Sequence, residues 1–117
     1  MAGVTYKLPL PPTTNNLFNS GTARRYVSPV YAAWQRMAGW ELQAQRAAAP
    51  HPMIQDPVQL IVLVRRPSGR SDLDNRLKAP LDLLVKHGVI RDDSQIERLV
   101  AAWADVEGCV VTVEPLP

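Results

Sequence analysis

Apolar and polar positions alternate along Val4-Thr5-Tyr6-Lys7-Leu8, which predicts a strand, closed by the proline-rich Pro9-Leu10-Pro11-Pro12. From Thr13 to Val27 neither a strand nor a helix period is visible. The stretch is polar, contains Gly21 and the pair Arg24-Arg25, and reads as a long loop of the kind that carries function. Ser28-Pro29 then offers a capping hydroxyl followed by proline at the first helical position. Val30, Trp34, Met37 and Glu41, with Ala33, Ala38 and Ala44 filling in, predict a helix with one apolar face through about Ala48, ended by Pro50 and Pro52.

Val58-Gln59-Leu60-Ile61-Val62-Leu63-Val64 is a β-rich run that predicts a central strand, and Arg65 to Ser71 a basic loop. Leu73, Leu77, Leu81, Leu84 and Val85 recur at helical spacing. Pro80 within that pattern removes a hydrogen bond and clashes with the preceding turn, so a kink or a later helix start is expected. Lys86-His87-Gly88 is a helix end. Val89 to Asp93 reads as a short strand or turn. Two strands follow, about Ile96 to Val106 and Cys109 to Val113, joined at Glu107-Gly108 as a terminal hairpin. The expected architecture is one α/β (α+β) domain over residues 1–117, a single-layer mixed sheet of about four strands with two helices packed on it.

Composition narrows the class of protein. Hydrophobic residues are 46% and charged residues 21% of the 117, which suits a folded chain with one core. No apolar run is long enough to span a membrane, and Met1 to Leu10 lacks the pattern of a secretory signal, so a cytoplasmic place of work is expected. Cys109, the single cysteine, lies in an apolar run and reads as a buried thiol. Net charge is only +2, yet there are ten Arg against three Lys, a bias that favours a phosphate-bearing partner. Trp34, Trp40 and Trp103 are expected in the core or at a dimer contact rather than as platforms for bases. His51 and His87 read as surface or loop residues without a role.

The chemistry concentrates in Ser71-Asp72-Leu73-Asp74-Asn75-Arg76-Leu77-Lys78 and in Asp92-Asp93. Inside one regular helix Asp72 and Asp74 would point roughly 200° apart, so they cooperate only if Asp72 lies at or before the helix cap. Asp93, after the second helix, is a third carboxylate that could fold back toward them. Three such groups a few ångströms apart demand a cation, and oxygen donors suit Mg²⁺. Lys78, four residues after Asp74, is placed to donate to a phosphate or a departing oxygen. Plainer readings stand beside these: Asp72 as a helix cap, Asp74, Lys78 and Asp82 as a solvated ion-pair ladder, Asp92-Asp93 as a turn.

Three segments carry a family resemblance. Leu8-Pro9-Leu10-Pro11-Pro12-Thr13-Thr14-Asn15-Asn16, Asp72-Leu73-Asp74-Asn75-Arg76-Leu77-Lys78 and Gly88-Val89-Ile90-Arg91-Asp92-Asp93-Ser94-Gln95 resemble, in order and spacing, the motifs of the RusA family of Holliday-junction resolvases. The resemblance implies a homodimeric, Mg²⁺-dependent endonuclease that cuts four-way DNA junctions by paired symmetric nicks. A bacterial cell, with a phage or prophage gene as one setting, is where such an enzyme is expected. Carried over, it makes Asp72, Asp74 and Asp93 the metal-binding carboxylates, Lys78 the catalytic lysine, and Asn15 and Asn16 residues near the DNA. Arg24, Arg25, Arg65, Arg66, Arg70 and Arg76 are the arginines expected at the DNA. Pro80 and the Pro67-Ser68-Gly69 interruption of the basic run depart from the family pattern. A branched-DNA-binding protein without cleavage, a nuclease for other branched DNA such as replication forks, and a protein-interaction module are the alternatives.

Overall fold

The computed structural model describes residues 3–14, 17–20 and 25–117, with the side chains at 19, 20, 25 and 26 outside the description. Six strands and two helices run in the order β1 (Val4–Leu8), β2 (Phe18–Ser20), β3 (Arg25–Val27), α1 (Pro29–Ala48), β4 (Val58–Val64), α2 (Lys78–Lys86), β5 (Ile96–Trp103) and β6 (Cys109–Pro115). A four-stranded sheet has the order β1-β6-β4-β5. β6 is antiparallel to both β1 and β4, while β5 runs parallel to β4, so the sheet is mixed. β2 and β3 pair as a separate antiparallel ribbon inside the segment expected to be a loop.

The expected terminal hairpin does not form. β6 crosses to the middle of the sheet and β5 lies at an edge, joined to β6 only through the chain. Burial explains the exchange: alternate residues Cys109, Val111 and Val113 of β6 are wholly buried, as are Val58, Leu60, Val62 and Val64 of β4. β5 has no buried residue, and its Leu99 and Val100 are exposed, as suits an edge. Gly108 adopts φ +67°, and a Cβ there would stand 2.3 Å from the Leu8 carbonyl oxygen, so only glycine fits the turn that delivers β6 beside β1.

Both helices pack on the face that carries the core. Ser28 Oγ accepts from the Tyr31 N–H at 3.0 Å and Pro29 opens α1, as the capping pattern predicts. The buried face is rotated from the one expected: Tyr31, Trp34, Ala38 and Leu42 face inward, whereas Val30, Met37 and Trp40 are exposed. A stripe at 31, 34, 38 and 42 keeps the i, i+3, i+7, i+11 period and lets the Trp34 indole N–H donate to the Pro9 carbonyl at 3.1 Å. In α2 the later start is what occurs. Leu73 and Leu77 pack on the core from outside the helix, and Pro80 falls in the first turn, where its missing N–H is no loss. Gly88, at φ +71°, follows the helix end. Cys109 is buried, and burial pushes its thiol pKa up to about 12, an inert group. Among the described residues no helix is long and apolar enough to cross a membrane.

Candidate functional site

The end of the sheet at Val64 is shared by neighbouring strands, because Val64 pairs with Cys109 and Cys109 with Leu8. From there the chain enters an exposed loop in which Arg65, Arg66 and Arg70 all face solvent. The Arg66 guanidinium lies 5.1 Å over the Trp103 ring, which fixes one root of the loop, and the Arg65 N–H donates to the Gly108 carbonyl at 2.9 Å. Asp72 follows outside any helix, and Asp74 opens a 3-10 turn, Asp74–Arg76. The 200° separation of a regular helix therefore does not apply to this pair.

Two bonds anchor the turn to the segment after β1. The Thr14 hydroxyl donates to the Asn75 carbonyl at 3.2 Å, and Arg76 Nη1 donates to the Pro11 carbonyl at 2.6 Å. Asn75 Nδ2 in turn approaches Asp72 Oδ2 at 3.4 Å. Asp72 and Asp74 remain exposed, and among the described residues neither has an ion-pair partner. Arg76, counted with the DNA-facing arginines from sequence, is half-buried and serves as this anchor. Burial lowers its pKa, and among the described residues its Nε has no partner.

Lys78 begins α2 with Nζ 3.3 Å from Asp82 Oδ2, so only the second half of the Asp74–Lys78–Asp82 ladder forms. Asp74 is out of register because it belongs to the 3-10 turn. Asp82 also lies beside the Tyr31 hydroxyl of α1, whose pKa is raised first by burial and then by that carboxylate. Sequence reasoning missed Tyr31 here, since nothing in the chain marks which α1 residue meets α2.

Asp93 stands elsewhere. Val58 pairs with Ile96, so the 3-10 turn Asp93–Gln95 that precedes β5 sits at the Val58 end of the sheet, about 20 Å along the strands from the Val64 end. Its geometry is strongly held. Gln95, buried, accepts from the N–H groups of Arg91 and Asp92 at 2.7 and 2.8 Å, and its Nε2 donates to the carbonyls of Ile54 and Asp56 at 2.9 and 3.0 Å. Asp92 caps the turn through the Ser94 N–H and hydroxyl, bonds that hold its carboxyl below the ordinary carboxylate range. The spacing of Asp92 and Gln95 is that of a capping box, a signal legible in the sequence but not used there.

Among the described residues no three His, Cys, Asp or Glu side chains converge on one point. Asp72 and Asp74 thus follow the arginine loop at the Val64 end of the sheet, with Lys78 opening the helix after them, while Asp93 lies at the other end. The donor set fits a hard divalent cation in type, being carboxylate oxygen only, and Mg²⁺ takes one or two protein carboxylates and fills the rest with water and phosphate. Asn15, Asn16 and Arg24 lie outside the described residues, as does the side chain of Arg25.

Exposed carboxylates next to exposed arginines and a lysine at one end of an α+β sheet form an arrangement suited to phosphodiester chemistry. A family model described as endodeoxyribonuclease RusA matches residues 9–114. The chain belongs to the RusA endodeoxyribonuclease family, enzymes that hydrolyse DNA. A crossover junction endodeoxyribonuclease RusA of Aquifex aeolicus (strain VF5) is 28% identical over 113 residues, covering 93% of this chain and 86% of that one.

Proposed function

We propose that this endonuclease resolves four-way (Holliday) DNA junctions as a Mg²⁺-dependent homodimer, making paired symmetric nicks during recombination and repair in the bacterial cytoplasm. A single domain spanning the chain would do this. The observation that carries the reading is the exposed pair Asp72 and Asp74, set in the chain between the exposed Arg65, Arg66 and Arg70 and the exposed Lys78, in a chain of this family.

In this reading the arginines take the DNA backbone, positioning it without reading bases and giving an affinity that falls with salt. Asn15 and Asn16 are assigned to the DNA by resemblance, and Arg24 and Arg25 by their charge and their place in a polar stretch of the sequence. Asp72 and Asp74 would hold the divalent cation, which when bound supplies Lewis-acid stabilisation of the charge that develops on the phosphate. Asn75 restrains the Asp72 carboxylate. Lys78, held by Asp82 until DNA arrives, turns its ammonium to the scissile phosphate and stabilises the departing oxygen as water adds to phosphorus and the P–O bond breaks.

Asp93 belongs to the same carboxylate set by resemblance, yet lies at the far end of its own sheet. A two-fold dimer reconciles the two: an antiparallel copy would present its own Asp93 turn to the Asp72–Asp74 end. Two such sites, related by the dimer axis, match the two-fold symmetry of a junction.

The separation of the carboxylates within one chain also favours a second reading, a branched-DNA-binding protein that does not cleave. Cleavage of a labelled four-way junction, a fork and a linear duplex, each with Mg²⁺ and with chelator, separates the two. Paired nicks on the junction with Mg²⁺ are expected, and Asp74→Asn should lose them by at least about a hundredfold while gel-shift binding persists. Tight binding by the wild type without nicking would favour the binder, nicks confined to the fork a different nuclease. Normal cleavage by Asp74→Asn would sink the metal-site assignment.

A further inference from the structure

The proposed chemistry leaves one surface unused. Between α1 and α2 runs an open groove of about 600 Å³, lined in part by Gln35, Arg36, Gly39, Trp40, Lys86 and His87. Trp40 is 80% exposed, the most exposed of the large apolar side chains described. Its exposure excludes the core, one of the two places expected for it, and it borders this groove. Arg36, one helical turn before it, and Lys86, on the facing helix, bring two cations, and among the described residues no acidic side chain lines the groove.

The floor is rigid. Gly39 lets the helices approach closely, since a Cβ there would stand 2.8 Å from His87 Nε2. His87 is held from the other side by Gln43 Nε2, 2.9 Å from its Nδ1, and by Arg46, which donates to its carbonyl. The upper end reaches the proposed site. Gln35 borders the Tyr31 hydroxyl, Tyr31 borders Asp82, and Asp82 pairs with Lys78. From Lys78 to Lys86 along α2 is about 12 Å. A strand whose phosphate sits at Lys78 has a cationic, aromatic path leading away from it.

We infer that the α1–α2 groove binds an unpaired stretch of the DNA substrate, with a base stacked on Trp40 and its flanking phosphates on Arg36 and Lys86. This rests on the proposed action on branched DNA and goes beyond it by giving the unpaired strand its own site. Paired bases hide their faces, so a free indole selects nucleotides that have left the duplex, as those at a branch point do. Among the described residues neither cation has an acidic partner, which suits a polyanion. Lysine is depleted at protein–protein contacts, so Lys86 favours the nucleic acid.

The test uses fluorescein-labelled oligothymidine of about eight nucleotides, in chelator, with fluorescence anisotropy as the signal, so that variants lacking Trp40 are read in the same way as the wild type. Trp40 is 80% exposed and Trp34 is buried, so quenching of the wild-type tryptophan emission that disappears in Trp40→Phe reports the stacked base. Stacking strengths for one base predict that Trp40→Ala weakens binding about 5- to 150-fold, with Trp40→Phe recovering most of it. Arg36→Ala and Lys86→Ala should each reduce the salt slope by about 0.7. Unchanged affinity in a folded Trp40→Ala protein overturns the inference. So does a fall in molecular mass by light scattering with affinity intact, which would make the groove a contact between copies. Junction cleavage by the wild type is scored separately, so loss of this site leaves the resolvase reading standing, while a wild type that binds no DNA sinks both.

Discussion

Gln95 shows how one buried amide can organise a turn. Both of its functional atoms are used twice, tying Arg91 and Asp92 to Ile54 and Asp56 across the entrance to β4 and β5. Gln95→Leu keeps the volume but strands two N–H groups and two carbonyls, and should cost about 2–4 kcal/mol in urea unfolding. A loss within experimental error would mean water replaces the amide. His87 is the residue whose protonation the fold resists: its pKa is lowered by burial first, then by Lys86 and Arg46. A depressed folded pKa means the unfolded chain takes up its proton first as pH falls. The stability associated with neutral His87 is therefore complete above about pH 6.5, its ordinary value, and is lost as pH falls from there through the folded pKa. Melting temperatures measured from pH 7.5 to 5 should decline, and should decline less in His87→Asn. Equal slopes would remove His87 as the cause.

At the scale of elements, the contact between α1 and α2 depends on a residue that helix propensity disfavours. Gly39 sits mid-helix, where glycine costs roughly 1 kcal/mol against alanine. Gly39→Ala would recover that propensity but set a methyl 2.8 Å from the His87 ring. Because His87 is gripped by Gln43 and by Arg46, the ring cannot swing away freely, and a net loss of about 1–2 kcal/mol is expected in thermal or urea unfolding. A gain would show that the ring yields. The same contact marks the limit of what periodicity reveals. The α1 repeat is visible in the chain, but two neighbouring stripes, 30-34-37-41 and 31-34-38-42, both satisfy it. Only the partner surface selects the second, leaving Trp40 outside. For α2, Pro80 left a kink and a later start both open, and the structure takes the later start, with Pro80 in the first turn.

For the whole molecule, the decisive feature is that Asp72 and Asp74 lie at one end of the sheet and Asp93 at the other. If a partner copy supplies Asp93, Asp74→Asn and Asp93→Asn should each be inactive alone yet regain activity when mixed. A heterodimer then holds one doubly altered site and one intact site. Nicking of one junction strand is the expected outcome, at about a quarter of the wild-type rate when exchange is complete, since half of the dimers are then mixed and each holds one intact site of two. Calorimetric titration with Mn²⁺ should likewise show binding return in the mixture. Two inactive proteins that stay inactive after subunit exchange would place all three carboxylates in one chain, brought together by a rearrangement on DNA binding.

By itself the sequence determined the bounds of α1, the end of α2, the central strand β4, the basic loop and the candidate carboxylates, because capping and side-chain period act over a few residues. The motif order across the chain was also enough to mark the nuclease family. Tertiary structure alone decided that β6 lies between β1 and β4, that β2 and β3 pair, that Arg76 anchors the N-terminal segment, and which face of α1 is buried. Each of these depends on a partner many residues away. It also decided that Asp93 starts the strand parallel to β4 while Asp72 follows the end of β4. A parallel connection returns the chain to the end of the sheet where it began, which separates along the strands groups that the motif spacing suggested would meet.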